Sequence, residues 1–197
     1  MDERFALAPT LEHSRVRLEQ LAPAHAAALG EASSAGELWR TWYTSIPGSE
    51  QMSAEIDRRL GLQAQGRMAP WAVIEPASGR AVGMTTFMNI DAANRRVEIG
   101  STWIATSVQR SGLNRAAKLL LLGRAFEELD CIAVEFRTHV ANEQSRTAIA
   151  ALGATQDGIL RSHQILADGS LRDTVVFSIT AAEWPGIKHR LIGQVGT

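Results

Sequence analysis

The chain has 197 residues, 45% apolar and 21% charged, with 20 Lys plus Arg against 21 Asp plus Glu for a net charge of −1. That is an ordinary globular composition, long enough for one sizeable core, and its neutral balance gives no field to attract nucleic acid or an anionic membrane. A lone cysteine, Cys131, excludes an internal disulfide framework and a cysteine-rich zinc cage, and the five histidines show no ligand spacing, so no metal is expected.

Residues 1–14 mix charged and apolar types without a hydrophobic segment before a small-residue cleavage site, so no secretory signal and a cytoplasmic location are expected. The longest apolar runs, such as residues 119–122, fall far short of the roughly 20 residues a membrane helix needs. Residues 14–21 alternate apolar with polar and predict a half-buried strand carrying Val16 and Leu18 on one face. Pro23 opens an alanine-rich helix that Gly30 and the Ser33-Ser34 pair end. A second helix is expected over residues 37–43. A third follows the Ile46-Pro47-Gly48-Ser49 turn, capped by Ser49 or Ser53, with Met52, Ile56 and Leu60 at spacing four.

The middle reads as strands. Residues 71–74 and 81–90 flank Pro76-Ala77-Ser78-Gly79 as a hairpin, and residues 96–104 alternate Val97, Ile99 and Trp103 with Glu98, Gly100 and Thr102, placing Glu98 and Thr102 on one face. A polar loop over 106–112, an apolar helix to about Leu129 and a strand over 131–138 make a βαβ unit with parallel strands. A helix over 142–152, stopped by Gly153, precedes a hairpin of 159–166 and 171–179 around Ala167-Asp168-Gly169-Ser170. Residues 182–197 form a tail with one helical turn expected near 187–191.

The sequence holds no GxxxxGK[ST], GxG, HExxH, CxxC or GxSxG. What remains is the glycine loop of residues 107–114 at a helix start, where free N–H groups and the helix dipole favour a phosphate. On this segment alone, a diphosphate cradle and a plain turn capped by Ser111 or Asn114 are both open. Among the histidines, His139 draws interest because it ends a strand.

Taken together, Glu98-Ile99-Gly100, Gln109-x-x-Gly112, Asn142-x-x-Ser145 and Leu152-Gly153-Ala154 in this order of strand, helix and strand resemble the GNAT superfamily of acetyl-CoA-dependent N-acetyltransferases over residues 12–181. Within it, the chain is similar to the ribosomal-protein-alanine N-acetyltransferase branch. Asn114 departs from the superfamily signature, which has Gly or Ala there. The resemblance implies one α/β domain over residues 1–197, with a mixed, mostly antiparallel sheet of about seven strands and helices on both faces. The strands at 96–104 and 132–138 would splay apart, with the pantetheine arm in the gap at Trp103 and Ile104. The diphosphate would rest on Gln109, Arg110, Ser111, Gly112, Leu113 and Asn114, with Arg110 or Arg115 adding charge, and Asn142 would hold the pantetheine or a water.

The implied activity is transfer of an acetyl group from acetyl-CoA to a primary amine, on a protein amino terminus or a small molecule, by direct attack on the thioester. Glu98 would take the proton, directly or through water. The tyrosine that many members carry on the helix at 142–152 has no counterpart: Ile149 stands there, and Tyr43 is the single tyrosine. Ser145 is therefore assigned hydrogen bonding to the sulfur or a water relay. Trp39, Trp42 and Tyr43 would border the acceptor pocket, with Arg40 and His163 as further contacts. The alternatives are a non-catalytic acyl-CoA sensor or assembly subunit, or a transferase of longer acyl groups. The exposed hairpin and the Trp184-Pro185 tail would support a homodimer.

Overall fold

The computed structural model describes residues 2–166 and 168–196. Its centre is one eight-stranded sheet in the order β1-β2-β3-β4-β5-β6-β8-β7. The strands are β1 (Leu11–His13), β2 (Val16–Gln20), β3 (Ala69–Glu75), β4 (Arg80–Asp91), β5 (Arg96–Ile104), β6 (Ala133–His139), β7 (Thr155–Ile165) and β8 (Leu171–Thr180). Every neighbouring pair is antiparallel except β5 with β6. One strand more than expected appears because residues 11–20 fold into a hairpin, whose three-residue first arm is too short to show a period.

Five helices cover the sheet: α1 (Ala26–Ser34), α2 (Met52–Ala64), α3 (Leu113–Gly123), α4 (Glu143–Leu152) and α5 (Trp184–Val195). On one face, α3, α4 and α5 bury Leu121, Ile149 and Leu191 against Val97, Val134, Phe136 and Phe177. On the other, α1 and α2 bury Leu29, Met52 and Ile56 against Ala72, Ile74, Met84 and Trp103. No helix among the described residues is long and apolar enough to cross a membrane.

Several expectations fail for local reasons. Residues 37–43 are not a helix: Glu37 takes a left-handed φ of 48°, which breaks the ladder and leaves a single 3-10 turn, Leu38–Arg40. Neither Ser49 nor Ser53 caps α2, which is entered through a 3-10 turn at Ser49–Gln51. The helix expected to reach Leu129 changes at Gly123 into a π-helical segment, Arg124–Glu128. β7 begins at Thr155, earlier than expected, and is exposed along nearly its whole length, so burial imposes no alternation on it. In the following turn Ala167 lies outside the described residues, while Asp168 accepts from the Ser170 backbone at 2.9 Å.

The tail is a full helix rather than one turn. Trp184, Ile187, Leu191 and Val195 recur at helical spacing and are buried, and Trp184 stacks on Phe126 at 5.4 Å. Trp184 is thus a core residue of its own chain.

Two irregularities in β5 shape the surface around it. At Ser101, φ is 47° and the register with β4 slips between Met84 and Thr86, a bulge that reverses which side chains face which side. Trp103 therefore joins the core under α1 and α2, while Thr102 turns toward α3 and accepts from Lys118 Nζ at 2.8 Å. Glu98 and Thr102 consequently lie on opposite faces, contrary to the simple alternation. The bulge is gripped from both sides, since Arg59 of α2 reaches the Ser101 carbonyl at 3.5 Å. The second irregularity is the parallel pairing of β5 with β6, which runs only from Arg96↔Ala133 to Glu98↔Glu135. Beyond it the two strands part, while β6 stays paired with β8 as far as His139↔Thr174.

Candidate active site

Glu98 sits at the last pair before β5 and β6 separate, on the face opposite Val97 and Ile99. It is 5% exposed; Asn89 Nδ2 donates to Glu98 Oε2 at 2.7 Å and Arg137 Nε lies 3.5 Å away. Gly100 leaves the carboxylate its space, because a Cβ there would come within 2.8 Å of Glu98 Oε1. Burial pushes the Glu98 carboxyl above its ordinary value, and Asn89 and Arg137 offset part of that shift. A carboxylate so placed is better suited to hold a proton than an exposed one.

At the far end of β5 the chain turns through the glycine loop. Arg110 at φ 63° and Gly112 at φ 88° bend the backbone, and the N–H groups of Arg110, Ser111 and Gly112 make no hydrogen bond among the described residues. Ser111 Oγ donates to the Val108 carbonyl at 2.7 Å and accepts from Leu113 N at 3.3 Å. Ser111 is therefore a local brace, whereas Asn114 makes no cap bond and its Oδ1 is buried without a partner among the described residues. Leu113 is in the core, so only its backbone faces the loop. The Gln109 side chain donates to the Ile104 carbonyl at 3.3 Å, tying the loop to the end of β5. Trp103 likewise buries its side chain and offers the gap only backbone. Arg15, which the sequence did not single out, braces the loop from behind by donating to Ser111 O at 3.4 Å and to Val195 O at 2.6 Å. A donor on that carbonyl orients the planar Ser111–Gly112 peptide, so the Gly112 N–H points the opposite way.

Across the gap, Asn142 caps α4: its Oδ1 accepts from Ser145 N at 3.0 Å. This explains the Asn-x-x-Ser spacing physically, and it leaves the Asn142 amide NH₂ and the Ser145 hydroxyl without a partner among the described residues. His139 ends β6 nearby. Its Nδ1 accepts from Ala141 N at 3.0 Å, and its Nε2 is buried without a partner among the described residues. Burial holds the imidazole below its ordinary pKa.

Trp42 and Tyr43 gather on that histidine, with ring centroids 5.0 Å and 6.2 Å from it, although they come from turns rather than a helix. Trp39 is not part of this group and carries the Arg40 guanidinium over its ring at 5.1 Å. Arg40 pairs with Glu37. His163 does reach the area, with Nδ1 3.1 Å from Thr174 Oγ1. Besides Arg15, sequence reasoning missed Asn89, Arg137 and Arg172, because each acts through strand pairing that periodicity does not reveal. Among the described residues no cluster of His, Cys, Asp and Glu is placed to hold a metal ion.

A family model described as "Acetyltransferase (GNAT) domain" matches residues 15–155, which include the splay, the loop and the α4 cap. The chain belongs to this family. It is a member of an acyltransferase family, and relatives named for ribosomal N-acetylation support the ribosomal-protein branch. The Bacillus subtilis (strain 168) protein named "Putative ribosomal N-acetyltransferase YdaF" is 36% identical over 110 residues, 56% of this chain and 59% of that protein. The match thus spans less than two thirds of that relative. A GCN5-related N-acetyltransferase from Brucella melitensis superposes with a TM-score of 0.87 at 30% identity, covering 96% of this chain and 86% of that one. RimJ of Mycobacterium smegmatis, solved in complex with CoA-disulfide, superposes with a TM-score of 0.77 at 25% identity, covering 91% and 88%.

Proposed function

We propose that the protein transfers an acetyl group from acetyl-CoA to a primary amine by direct attack on the thioester. The observation that carries this is the splay: beyond Glu98↔Glu135, facing backbone edges of β5 and β6 run unpaired, with a buried carboxylate at the bottom and unbonded loop N–H groups at the top. An amide-bearing arm satisfies such edges as an added strand would, and a diphosphate satisfies the loop. The residues therefore fit this coenzyme, held along Trp103 and Ile104 by backbone and at Arg110, Ser111 and Gly112 by N–H groups, with Gln109 and Asn142 shaping the two sides.

Acetyl-CoA supplies the activated acyl group and a thiolate leaving group. The chain supplies the rest. Glu98 accepts the proton of the attacking amine, directly or through water, which suits a protein α-amine of pKa about 7.7 to 8.0 better than a lysine near 10.4. The Ser145 hydroxyl, with no partner among the described residues, is available to hydrogen-bond the departing sulfur. Trp42 and Tyr43 wall the acceptor side. The similarity to ribosomal N-acetyltransferases supports a protein amino terminus as the acceptor. Titration calorimetry with acetyl-CoA, followed by thiol release against peptides and small amines, tests the reading. Binding with turnover is expected; binding without any turnover supports a sensor instead, and no binding refutes both.

A further inference from the structure

The acceptor side of the sheet holds charge that the transfer chemistry does not use, and a role for that charge rests on the acetyltransferase activity proposed above. Three arginines stand on this floor. Arg96 donates to Glu135 at 2.5 Å, and Arg137 pairs with Glu135 at 2.8 Å and with Glu98 at 3.5 Å. Arg172 has no carboxylate partner among the described residues. Its Nε donates to Thr174 Oγ1 at 3.1 Å, which lays the guanidinium over Thr174 and leaves its Nη atoms unbonded. Thr174 is the cross-strand neighbour of His139. Because His139 Nδ1 accepts from Ala141 N, the neutral ring carries its proton on Nε2, and that buried N–H also lacks an acceptor. Two donor groups thus share one corner with nothing to receive their hydrogen bonds.

A half-buried guanidinium without a hydrogen-bonded carboxylate is unfavourable, and a carboxylate matches its planar fork with two parallel hydrogen bonds. We propose that Arg172 and His139 bind a carboxylate of the acceptor, so that the preferred substrate is an amine carrying a carboxylate close to the nitrogen that is acetylated. Closeness follows from position, since His139 stands on the same face of β6 as Glu135, the register partner of Glu98, with Arg137 between them. Trp42, 60% exposed and in edge contact with His139, borders this corner. The carboxylate has two chemical sources: the α-carboxylate of a free amino acid, or an acidic side chain next to a peptide amino terminus.

Matched acceptors separate them. Alanine against alaninamide tests the first source, and the amidated peptide Ala-Asp-Gly-Gly against Ala-Asn-Gly-Gly tests the second. Comparing each ratio between wild type and variant cancels differences in amine basicity. Arg172→Ala is expected to lower kcat/KM for the carboxylate member of one pair by about 10- to 100-fold, mainly through the acceptor KM, as loss of a charge-assisted pair predicts. The neutral member and the KM for acetyl-CoA stay unchanged, Arg172→Lys restores part of the loss, and His139→Phe produces a smaller loss in the same member. Equal losses in both members, or turnover confined to the neutral ones, overturn the proposal. Acetyl-CoA binding with no turnover of any of the four acceptors overturns it too, while failure to bind acetyl-CoA brings down the transferase reading itself.

Discussion

On the face that α1 and α2 cover, β3 and β4 present Ala72, Ile74, Ala81 and Met84; on the same face beyond β5, β6 and β8 present Glu135, Arg137, His139, Arg172 and Thr174. One sheet therefore changes from core to site within a few strands, and the change coincides with the end of helical cover. Under the helices, the buried Arg59 is held by Glu55 at 2.7 Å and by the Ser101 carbonyl. On the open half, charges stand in a row and are only partly matched. Apolar burial stabilises the first half, whereas the second keeps groups whose burial disfavours their charged forms.

Substitutions in the two halves should separate rate from stability. The largest effect is expected from Glu98→Gln, with kcat falling about 10²- to 10⁴-fold while the Kd for acetyl-CoA holds. Its folded pKa is raised, so the native state binds the proton more tightly than the unfolded chain, and the carboxylate destabilises the fold as pH rises through that value. The inactive variant should accordingly melt higher than wild type at pH 8, and a lower melting temperature would break the contrast. Ile56→Ala in the covered half should lose about 2–5 kcal/mol in urea unfolding. Arg172→Ala on the floor should stay within about 1 kcal/mol of wild type.

Lys118 sharpens the contrast from the opposite face. Burial brings its pKa to about 7, and its bonded partner is the Thr102 hydroxyl. Between that value and its ordinary one the unfolded chain binds more protons, so stability should rise with pH from about 7 upward through this group. Lys118→Met should flatten that slope in melts recorded from pH 7 to 9. The smallest effect is expected at Ser145→Ala, about a threefold drop in kcat for a lost neutral hydrogen bond; an unchanged rate would assign the sulfur to another donor.

Much of this was legible in the sequence because the signals were local. The hairpin at 71–90, the Gln109-x-x-Gly112 loop and the helix stopped by Gly153 each rest on residues within a few positions of one another. The splay was also expected, but only through the resemblance. What stayed hidden depends on partners distant in the chain or on one unusual dihedral angle. Ser101 looks like any strand residue, yet its φ reverses the facing of Thr102 and Trp103. Residues 37–43 carry helix-forming types, yet Glu37 breaks them into turns that bring Trp42 to His139. Arg172 shows its isolation only once Arg96 and Arg137 are seen to have taken the available carboxylates.

The Arg15 brace behind the glycine loop bears on the order of assembly. Arg15 and Val195 are 180 positions apart, so closing that contact costs more chain entropy than any local one. The loop is expected to be held from behind only once the last helix docks. Coenzyme affinity in a refolding experiment would then trail the appearance of the sheet, marking the moment at which the two ends of the described chain have met.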